Sequence, residues 1–254
     1  MHLSEGLLPA AQALTWAAFS TPFVVTNARR LKREPAQRAR FGVAAALAFA
    51  VTLFPVPIPG LGATSHMCAT PILGLLLGPT ALALPMTLVL ALQALLFAHG
   101  GITTLGANVF TLGIVGPWVA WSTARLLGRF HLGRGWVVGI ACMLGSTSVY
   151  LMDALMLGWA LQGARPFGHW VQVALLGFAP VQTPLLILEA FLSAGLVSAL
   201  AKRRTDLVPA WLPAPHKVAP QVLAGLLFLL MSPLRAGELQ GLDEKVLEAS
   251  AIQA

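Results

Sequence analysis

Long apolar stretches alternate with short polar segments along the first 200 residues of the chain. The apolar stretches are residues 8–28, 41–58, 70–83, 84–98, 105–127, 136–161 and 171–200. Since about 20 apolar residues in a helix cross the hydrocarbon core of a bilayer, the pattern predicts about seven transmembrane helices. The third and fourth stretches adjoin and are interrupted by Gly78, Pro79 and Pro85, so we expect two short helices joined by a tight turn.

A further apolar run, at residues 220–233, follows a proline-rich segment. The run is short for a span, so it could be a tilted span, an interfacial segment or half of a pair. Prolines in the preceding segment, Val208–Pro215, are typical of a linker. We therefore divide the chain into a transmembrane bundle at residues 1–204 and a linker, short apolar segment and outer tail at residues 205–254.

Lysine and arginine residues are distributed unevenly between the two ends of the predicted helices. If the N-terminus lies outside and the spans alternate in direction, thirteen of the 16 basic residues fall in the inner segments, and those left outside are Arg165, Arg235 and Lys245. Cytoplasmic loops carry an excess of lysine and arginine. The predicted location is therefore the cytoplasmic (inner) membrane, with the N-terminus outside.

The composition supports the same class of protein. Hydrophobic residues make up 57% of the 254 residues and charged residues 10%, whereas soluble domains carry about 25% charged residues. The predicted fold class is an all-α polytopic membrane protein. The net charge of +7 lies largely in the inner loops, where membrane orientation accounts for it, so no nucleic-acid partner is expected.

The chain begins Met1-His2, a dipeptide that can bind a metal ion through three nitrogens. A free terminal amine, the amide nitrogen of residue 2 and the His2 imidazole can close two adjacent chelate rings. A second imidazole could then complete a plane of four nitrogens, which suits Ni(II), Cu(II) and, less strictly, Co(II). The following segment, Leu3–Gly6, lacks the basic region of a secretory signal, so we expect Met1 to be retained.

Two other histidines fall on the predicted outer side, in glycine-containing loops: His66 in residues 59–69 and His99 in residues 98–101. Glycine permits unusual dihedral angles and close backbone approach, so these loops can fold inward towards His2. The remaining histidines, His131, His169 and His216, lie near basic residues or a tryptophan and are expected to be solvated or interfacial.

Several of these segments together resemble the CbiM/NikM family: Met1-His2 followed by Glu5-Gly6, the loop around His66, and the run Ala98–Asn108 continuing to Gly116-Pro117. Members of that family are the substrate-capture components of energy-coupling-factor transporters for cobalt and nickel. The resemblance covers about residues 1–200 and implies seven spans. It also implies that Met1, His2 and His66 bind Co(II) or Ni(II) as a transported substrate, with no prosthetic group.

Polar residues near the implied ligands are expected to hold the ligand-bearing loops in place: Glu5, Ser65, His99, Thr103 and Asn108. Thr103 or Thr104 could instead cap a helix. The sequence Met67-Cys68 after His66 departs from the glycine and threonine usual in the family. It adds two soft sulfur donors near the site, although we expect both side chains to pack at the start of the third helix.

The sequence contains no GxxxxGK[ST] phosphate loop, so no ATPase activity of its own is expected. The resemblance implies a coupling transmembrane subunit and paired cytoplasmic ATPase subunits as partners. It also implies that residues 205–254 correspond to a small auxiliary membrane component.

Two acidic residues, Asp153 and Glu189, lie well inside predicted spans, where carboxylates are often functional. We expect Glu189 to pack between helices or to contact a partner subunit. Asp153 with His66 and His99 leaves open an intramembrane metal-dependent hydrolase, because catalytic zinc takes three protein ligands, although no HExxH spacing is present. An ion-coupled or passive divalent-metal carrier is the other alternative.

Overall fold

The computed structural model describes residues 2–58, 63–163 and 165–214, most of which are helical. The helices are α1 Ala10–Arg33, α2 Gln37–Thr52, α3 Thr70–Leu77, α4 Ala83–Phe97, α5 Leu105–Asn108, α6 Gly116–Leu127, α7 Arg134–Leu161 and α8 Phe167–Arg203. A π-helical segment, Val109–Val115, joins α5 to α6, so these form one continuous helical stretch. Three predicted features, Met1, the loop residues 59–62 and the apolar run 220–233, lie outside the described residues.

Each of the seven apolar stretches in the bundle falls on a helical segment. Helices α7 and α8 are long and apolar enough to cross a membrane, and α4 is a shorter apolar helix. The second stretch is predicted wrongly at its end, because α2 stops at Thr52 rather than continuing to residue 58. Pro55 and Pro57 follow, and proline can neither donate to a helix nor leave its predecessor helical.

Helices α3 and α4 are the two short helices expected around Gly78 and Pro79. Helix α3 ends at Gly78, whose φ of 101° favours glycine because it has no Cβ. A Cβ added at Gly74 would lie 2.6 Å from the Cβ of Pro117, so glycine lets α3 pack directly on the start of α6. Residues 70–75 are all buried, which gives this short helix the protein cover that it needs at membrane depth.

Helix α7 packs against α3, α6, α8 and the π-helical segment. Its contact with α6 is close, since a Cβ at Gly145 would lie 2.8 Å from the carbonyl oxygen of Gly116. The buried side of α7 carries Ser146, Tyr150 and Asp153, whose spacing of four and three residues places them on one helical face. This polar face lies within an otherwise apolar core.

A small sheet makes the all-α prediction incomplete. Strands β1 His2–Leu3, β2 Val56–Ile58 and β3 Ala63–Ser65 form an antiparallel sheet in the order β1–β3–β2. His2 pairs with Thr64, so the sheet brings the N-terminal segment beside the residues that precede His66. Strands of two or three residues are too short for their hydrophobic period to be recognised.

The residues after α8 return to the ends of α6 and α7. The Arg125 guanidinium lies 4.8 Å from the ring centre of Trp121 and 4.6 Å from that of Trp211. Arg134 donates from Nε to the carbonyl oxygen of Pro213 at 2.8 Å. The first part of the predicted linker is thereby attached to the bundle, and the division of the chain at residue 204 stays a prediction.

Candidate metal site

Three histidines that are far apart in the sequence meet at one end of the bundle. One nitrogen from each of His2, His66 and His99 lies within 4.8 Å of the others. The ring centres of His2 and His66 are 4.6 Å apart, and those of His2 and His99 are 4.2 Å apart. The residues are 0%, 1% and 7% exposed. Converging buried imidazoles of this kind provide nitrogen donors for a transition-metal ion.

The tautomer of His66 is fixed by its own loop. Its Nδ1 lies 2.8 Å from the carbonyl oxygen of Met67. A carbonyl can only accept a hydrogen bond, so Nδ1 carries the proton and Nε2 carries the lone pair. That Nε2 is buried and has no hydrogen-bond partner among the described residues. An imidazole held in this way by its other nitrogen is oriented as metal-binding histidines are.

His99 covers His2 from the loop between α4 and α5. Nδ1 of His2 contacts Nε2 of His99, so one of these nitrogens donates and the other accepts. The loop turns through Ala98, with a φ of 50°, and Gly100, with a φ of 82°. A Cβ at Gly100 would lie 3.5 Å from the Cβ of His2, so the loop runs directly over the imidazole.

Burial keeps all three imidazoles neutral. Loss of hydration lowers the pKa of His2 and the pKa of His66 well below the usual value of 6.5. The same cause lowers the pKa of His99 to about 4, because the charged form loses more hydration than the neutral form. At neutral pH each ring therefore has a lone pair, which a cation could use.

The backbone of the N-terminal strand is held by side chains at the start of the α5–α6 stretch. The amide of Leu3 donates to Oδ1 of Asn108 at 2.8 Å, and Nδ2 of Asn108 donates to the carbonyl oxygen of Leu3 at 3.1 Å. The Thr104 hydroxyl donates to the same carbonyl at 2.7 Å. Because both backbone groups of Leu3 are bonded, the neighbouring His2 has a defined position.

The next residues of the N-terminal segment bind the α4–α5 loop. The Glu5 carboxylate accepts hydrogen bonds from the backbone amides of Ile102 and Thr103, and the amide of Gly6 donates to the Thr103 hydroxyl at 3.1 Å. The Thr103 side chain and, to a smaller extent, these two amides lower the pKa of Glu5. A Cβ at Gly101 would lie 2.6 Å from the backbone nitrogen of Glu5, so the two segments are in direct backbone contact.

The loop that carries His66 is held from α7 and α8. The Tyr150 hydroxyl donates to the carbonyl oxygen of His66 at 2.7 Å. The Ser65 hydroxyl donates to Oε1 of Gln182 at 2.6 Å. All four residues are buried, where hydrogen bonds are strong and costly to lose.

Glu189 packs between helices, the first of its two expected roles, and it also holds the loop that carries His66. Its carboxylate accepts hydrogen bonds from the amides of Cys68 and Ala69, at 3.1 and 2.8 Å, and from the Ser146 hydroxyl at 2.8 Å. Ala69 has a φ of 56°, so the carboxylate holds a strained turn at the start of α3. Glu189 is 3% exposed, and it therefore supports the His66 loop instead of presenting its charge to a partner subunit.

The two sulfur side chains after His66 differ in exposure. Cys68 is fully buried and Met67 is half-buried. Burial raises the pKa of the Cys68 thiol to about 12, so it stays protonated at neutral pH and is a poor metal ligand. His131 and His169 are exposed, whereas His216 lies outside the described residues.

Sequence reasoning missed three groups that support the site: Gln182 on α8 and Ser146 and Tyr150 on α7. The sequence does contain a signal for Tyr150, because it is the single tyrosine of the chain. That tyrosine lies inside an apolar stretch, four residues after Ser146 and three before Asp153. Polar side chains at helical spacing inside a predicted span indicate a buried polar face.

The fold and the site together define a helical membrane protein with a candidate site for a transition-metal ion. Residues 2–207 match the family described as the cobalt uptake substrate-specific transmembrane region, CbiM. The chain therefore belongs to the CbiM family.

Curated relatives and a solved structure agree with this assignment. The cobalt transport protein CbiM of Geobacter sulfurreducens is 35% identical over 270 residues, which cover all of this chain and 78% of that protein. A putative cobalt transport protein CbiM of Archaeoglobus fulgidus is 35% identical over 82% of this chain and 98% of its own length. The crystal structure of a truncated transition metal transporter matches with a TM-score of 0.70 and 28% identity, over 80% of this chain and 99% of that one.

Proposed function

We propose that this chain is the substrate-capture membrane component of an ATP-driven energy-coupling-factor importer and that it binds Co(II) or Ni(II) as its transported substrate. The observation that carries the proposal is the buried convergence of His2, His66 and His99. The unpartnered Nε2 of His66 and the names of the cobalt-transporting relatives support it.

The proposed ligands are the terminal amine of Met1, the amide nitrogen and imidazole Nδ1 of His2, and the imidazole of His66. Four nitrogens in a plane suit Ni(II) and, less strictly, Co(II). Since the amide must lose its proton, binding releases protons and weakens in acid. His99, which contacts Nδ1 of His2, holds that nitrogen before the metal arrives and yields it to the incoming cation.

We further propose that the seven helical segments form a bundle within the cytoplasmic membrane, with the N-terminus and the metal site outside. The distribution of charge supports this orientation. His2 precedes α1 and His99 follows α4, whereas the last turn of α1 carries Arg30, Lys32 and Arg33 and that of α8 carries Lys202 and Arg203. An excess of basic residues marks the cytoplasmic ends of helices.

Uphill transport would require other subunits. The sequence has no phosphate-binding loop, so ATP hydrolysis falls to paired cytoplasmic ATPase subunits. A coupling transmembrane subunit would pass their motion to this bundle, and residues 205–254 would act as an auxiliary membrane segment. The chain itself selects the ion and carries it inward.

Metal content of the purified protein, measured by mass spectrometry, tests the proposal. One variant carries Lys-Pro inserted between Met1 and His2, which keeps every side chain but interrupts the chelate, because the proline nitrogen has no proton to lose and cannot bind as an amide anion. We expect stoichiometric cobalt or nickel in the original protein and its loss in the variant, while the exposed-histidine control His131→Ala retains it. Equal metal in the inserted variant, or zinc in both, would exclude the N-terminal chelate and favour a metal-dependent hydrolase.

A further inference from the structure

Asp153 is a buried carboxylate that lacks the partners such a group normally has. It is 0% exposed, and neither of its oxygens has a hydrogen-bond partner among the described residues. Burying an acidic group without partners is costly, whether it is charged or neutral. An acid kept at such a position therefore calls for an explanation beyond packing.

The position of Asp153 places it beside the candidate metal site. It shares one face of α7 with Ser146 and Tyr150. Tyr150 donates to the His66 carbonyl, and Ser146 donates to Glu189, which holds the end of the same loop. Asp153 lies three residues after Tyr150, which is about 4.5 Å along the helix. The carboxylate is close enough to the Cys68 thiol to contribute to the raised pKa of that thiol. The Thr111 hydroxyl of the π-helical segment is its neighbouring side-chain donor but does not reach hydrogen-bond geometry.

Glu189, the other buried acid near the loop, is already engaged. Its two oxygens accept hydrogen bonds from Cys68, Ala69 and Ser146. These bonds spread its charge over fixed donors, so it has little left to offer another cation. Asp153 is the acid whose oxygens remain available.

The proposed metal complex has a net positive charge that a carboxylate could balance. A divalent cation held by one deprotonated amide, a neutral amine and neutral imidazoles has a net charge of +1. Taking such a charge out of water is strongly unfavourable unless an opposite charge lies close to it. One carboxylate makes the buried assembly neutral.

We propose that the Asp153 carboxylate is the counter-charge of the metal-loaded site and not one of the metal's ligands. This inference rests on the proposed function. It assigns Asp153 a role in selecting ions by charge, because one carboxylate and one amide anion together neutralise a divalent cation. With a monovalent cation the buried assembly would have a net negative charge, and with a trivalent cation it would have a net positive charge.

The test compares Asp153→Asn, a neutral variant of nearly the same shape, with Asp153→Glu, which keeps the charge. Thr147→Val is the matched control, since Thr147 lies on α7 but is exposed and bonds only its own helix at Met143. Nickel affinity, the visible spectrum of the nickel complex and the unfolding temperature of the metal-free protein are measured for each variant. Affinities are measured on detergent-purified full-length protein.

We expect Asp153→Asn to bind nickel about 10- to 100-fold more weakly, the range typical of groups that support metal ligands. Its nickel spectrum stays that of the original protein, because the nitrogen donors are unchanged. Its metal-free unfolding temperature is equal or higher, because an unpartnered acid has been removed. Asp153→Glu recovers most of the affinity, and Thr147→Val behaves as the original protein.

Three results would overturn the inference. Unchanged nickel affinity in Asp153→Asn would show that Asp153 is not the counter-charge. An altered nickel spectrum would show that Asp153 is a metal ligand. If Asp153→Asn lowers the unfolding temperature of the metal-free protein and nickel stabilises the variant as much as the original protein, the role of Asp153 is to stabilise the fold. Failure of the proposed function is distinguishable, because it appears as nickel binding that the Lys-Pro insertion after Met1 does not affect.

Discussion

The two sides of the histidine cluster are held in different ways. The strand that carries His2 is fixed mainly through its backbone, by Asn108 and Thr104 near the start of one helical stretch. The loop that carries His66 is fixed by hydroxyl and carboxylate groups from two long helices, among them Tyr150 and Glu189.

The difference extends to the imidazoles themselves. The Nε2 lone pair of His66 is set by the Met67 carbonyl and has no partner among the described residues, whereas Nδ1 of His2 is engaged by His99. The His66 side is therefore organised in advance, and the His2 side must exchange one nitrogen partner for another. A site built in this way can keep the position of His66 fixed while His2 and His99 separate to admit a cation.

The largest expected effect comes from removing the organised side. His66→Ala should weaken nickel or cobalt binding more than about 100-fold, because even groups that only support metal ligands cost 10- to 100-fold. Isothermal titration of the purified protein measures this. His99→Ala should cost less, since we assign His99 a supporting role, and His131→Ala should cost nothing. Equal losses in His66→Ala and His99→Ala would end the distinction between the two residues.

A smaller but still large loss of metal affinity should follow from separating the N-terminal segment from the loop between α4 and α5. In Gly101→Ala, the new Cβ would meet the backbone of Glu5 at 2.6 Å, which must displace one segment. We expect about a 10- to 100-fold loss of metal affinity. Gly168→Ala is the matched control, because its Cβ would meet nothing within 4 Å. Similar affinities in both variants would show that the backbone contact is unimportant.

The support of the His66 loop can be tested separately. Glu189→Gln replaces one acceptor oxygen with a donor that would face a backbone amide or the Ser146 hydroxyl. The metal-free protein should lose about 1–3 kcal/mol of stability, the usual cost of an unsatisfied buried group. Thermal unfolding in detergent measures the loss, with Ser198→Ala on the exposed side of α8 as the control. An unchanged unfolding temperature would mean that the loop is held without this carboxylate.

The smallest effect is on the acid stability of the metal-free protein. The pKa of His99 is about 4 in the folded protein and its ordinary value is 6.5, so the unfolded chain binds a proton in this interval and the folded chain does not. Stability therefore falls as pH falls from 6.5 towards 4. Unfolding temperatures across this range should decrease, and the decrease should be shallower in His99→Gln. The same slope in both proteins would contradict the assignment.

The helices could be predicted from the sequence because apolar stretches of 14 to 30 residues leave few alternatives. The small sheet and the π-helical segment could not. His2–Leu3 is only two residues long, and the turn from α5 into the π-helical segment carries no local signal that separates it from an ordinary helix. The end of α2 could have been found from Pro55 and Pro57.

The residues of the candidate site also differ in how far the sequence could predict them. His2 was identified by the chemistry of a histidine at the second position. His66 and His99 were both placed in outer glycine-containing loops, and the resemblance to the CbiM/NikM family is what singled out His66 as a ligand. The packing of Glu189 between helices was expected, but its bonds to the His66 loop were not. Its partner Ala69 lies 120 residues away, and a carboxylate inside an apolar stretch does not indicate which loop it will hold. Tyr150 was overlooked for the same reason.

X-ray absorption spectroscopy of the cobalt- or nickel-loaded protein tests the central claim most directly, since it reports the atoms bound to the metal. The account predicts a shell of nitrogen donors that includes two imidazoles, and one imidazole fewer in His66→Ala. A sulfur donor from Met67 or Cys68, or an unchanged shell in His66→Ala, would contradict it.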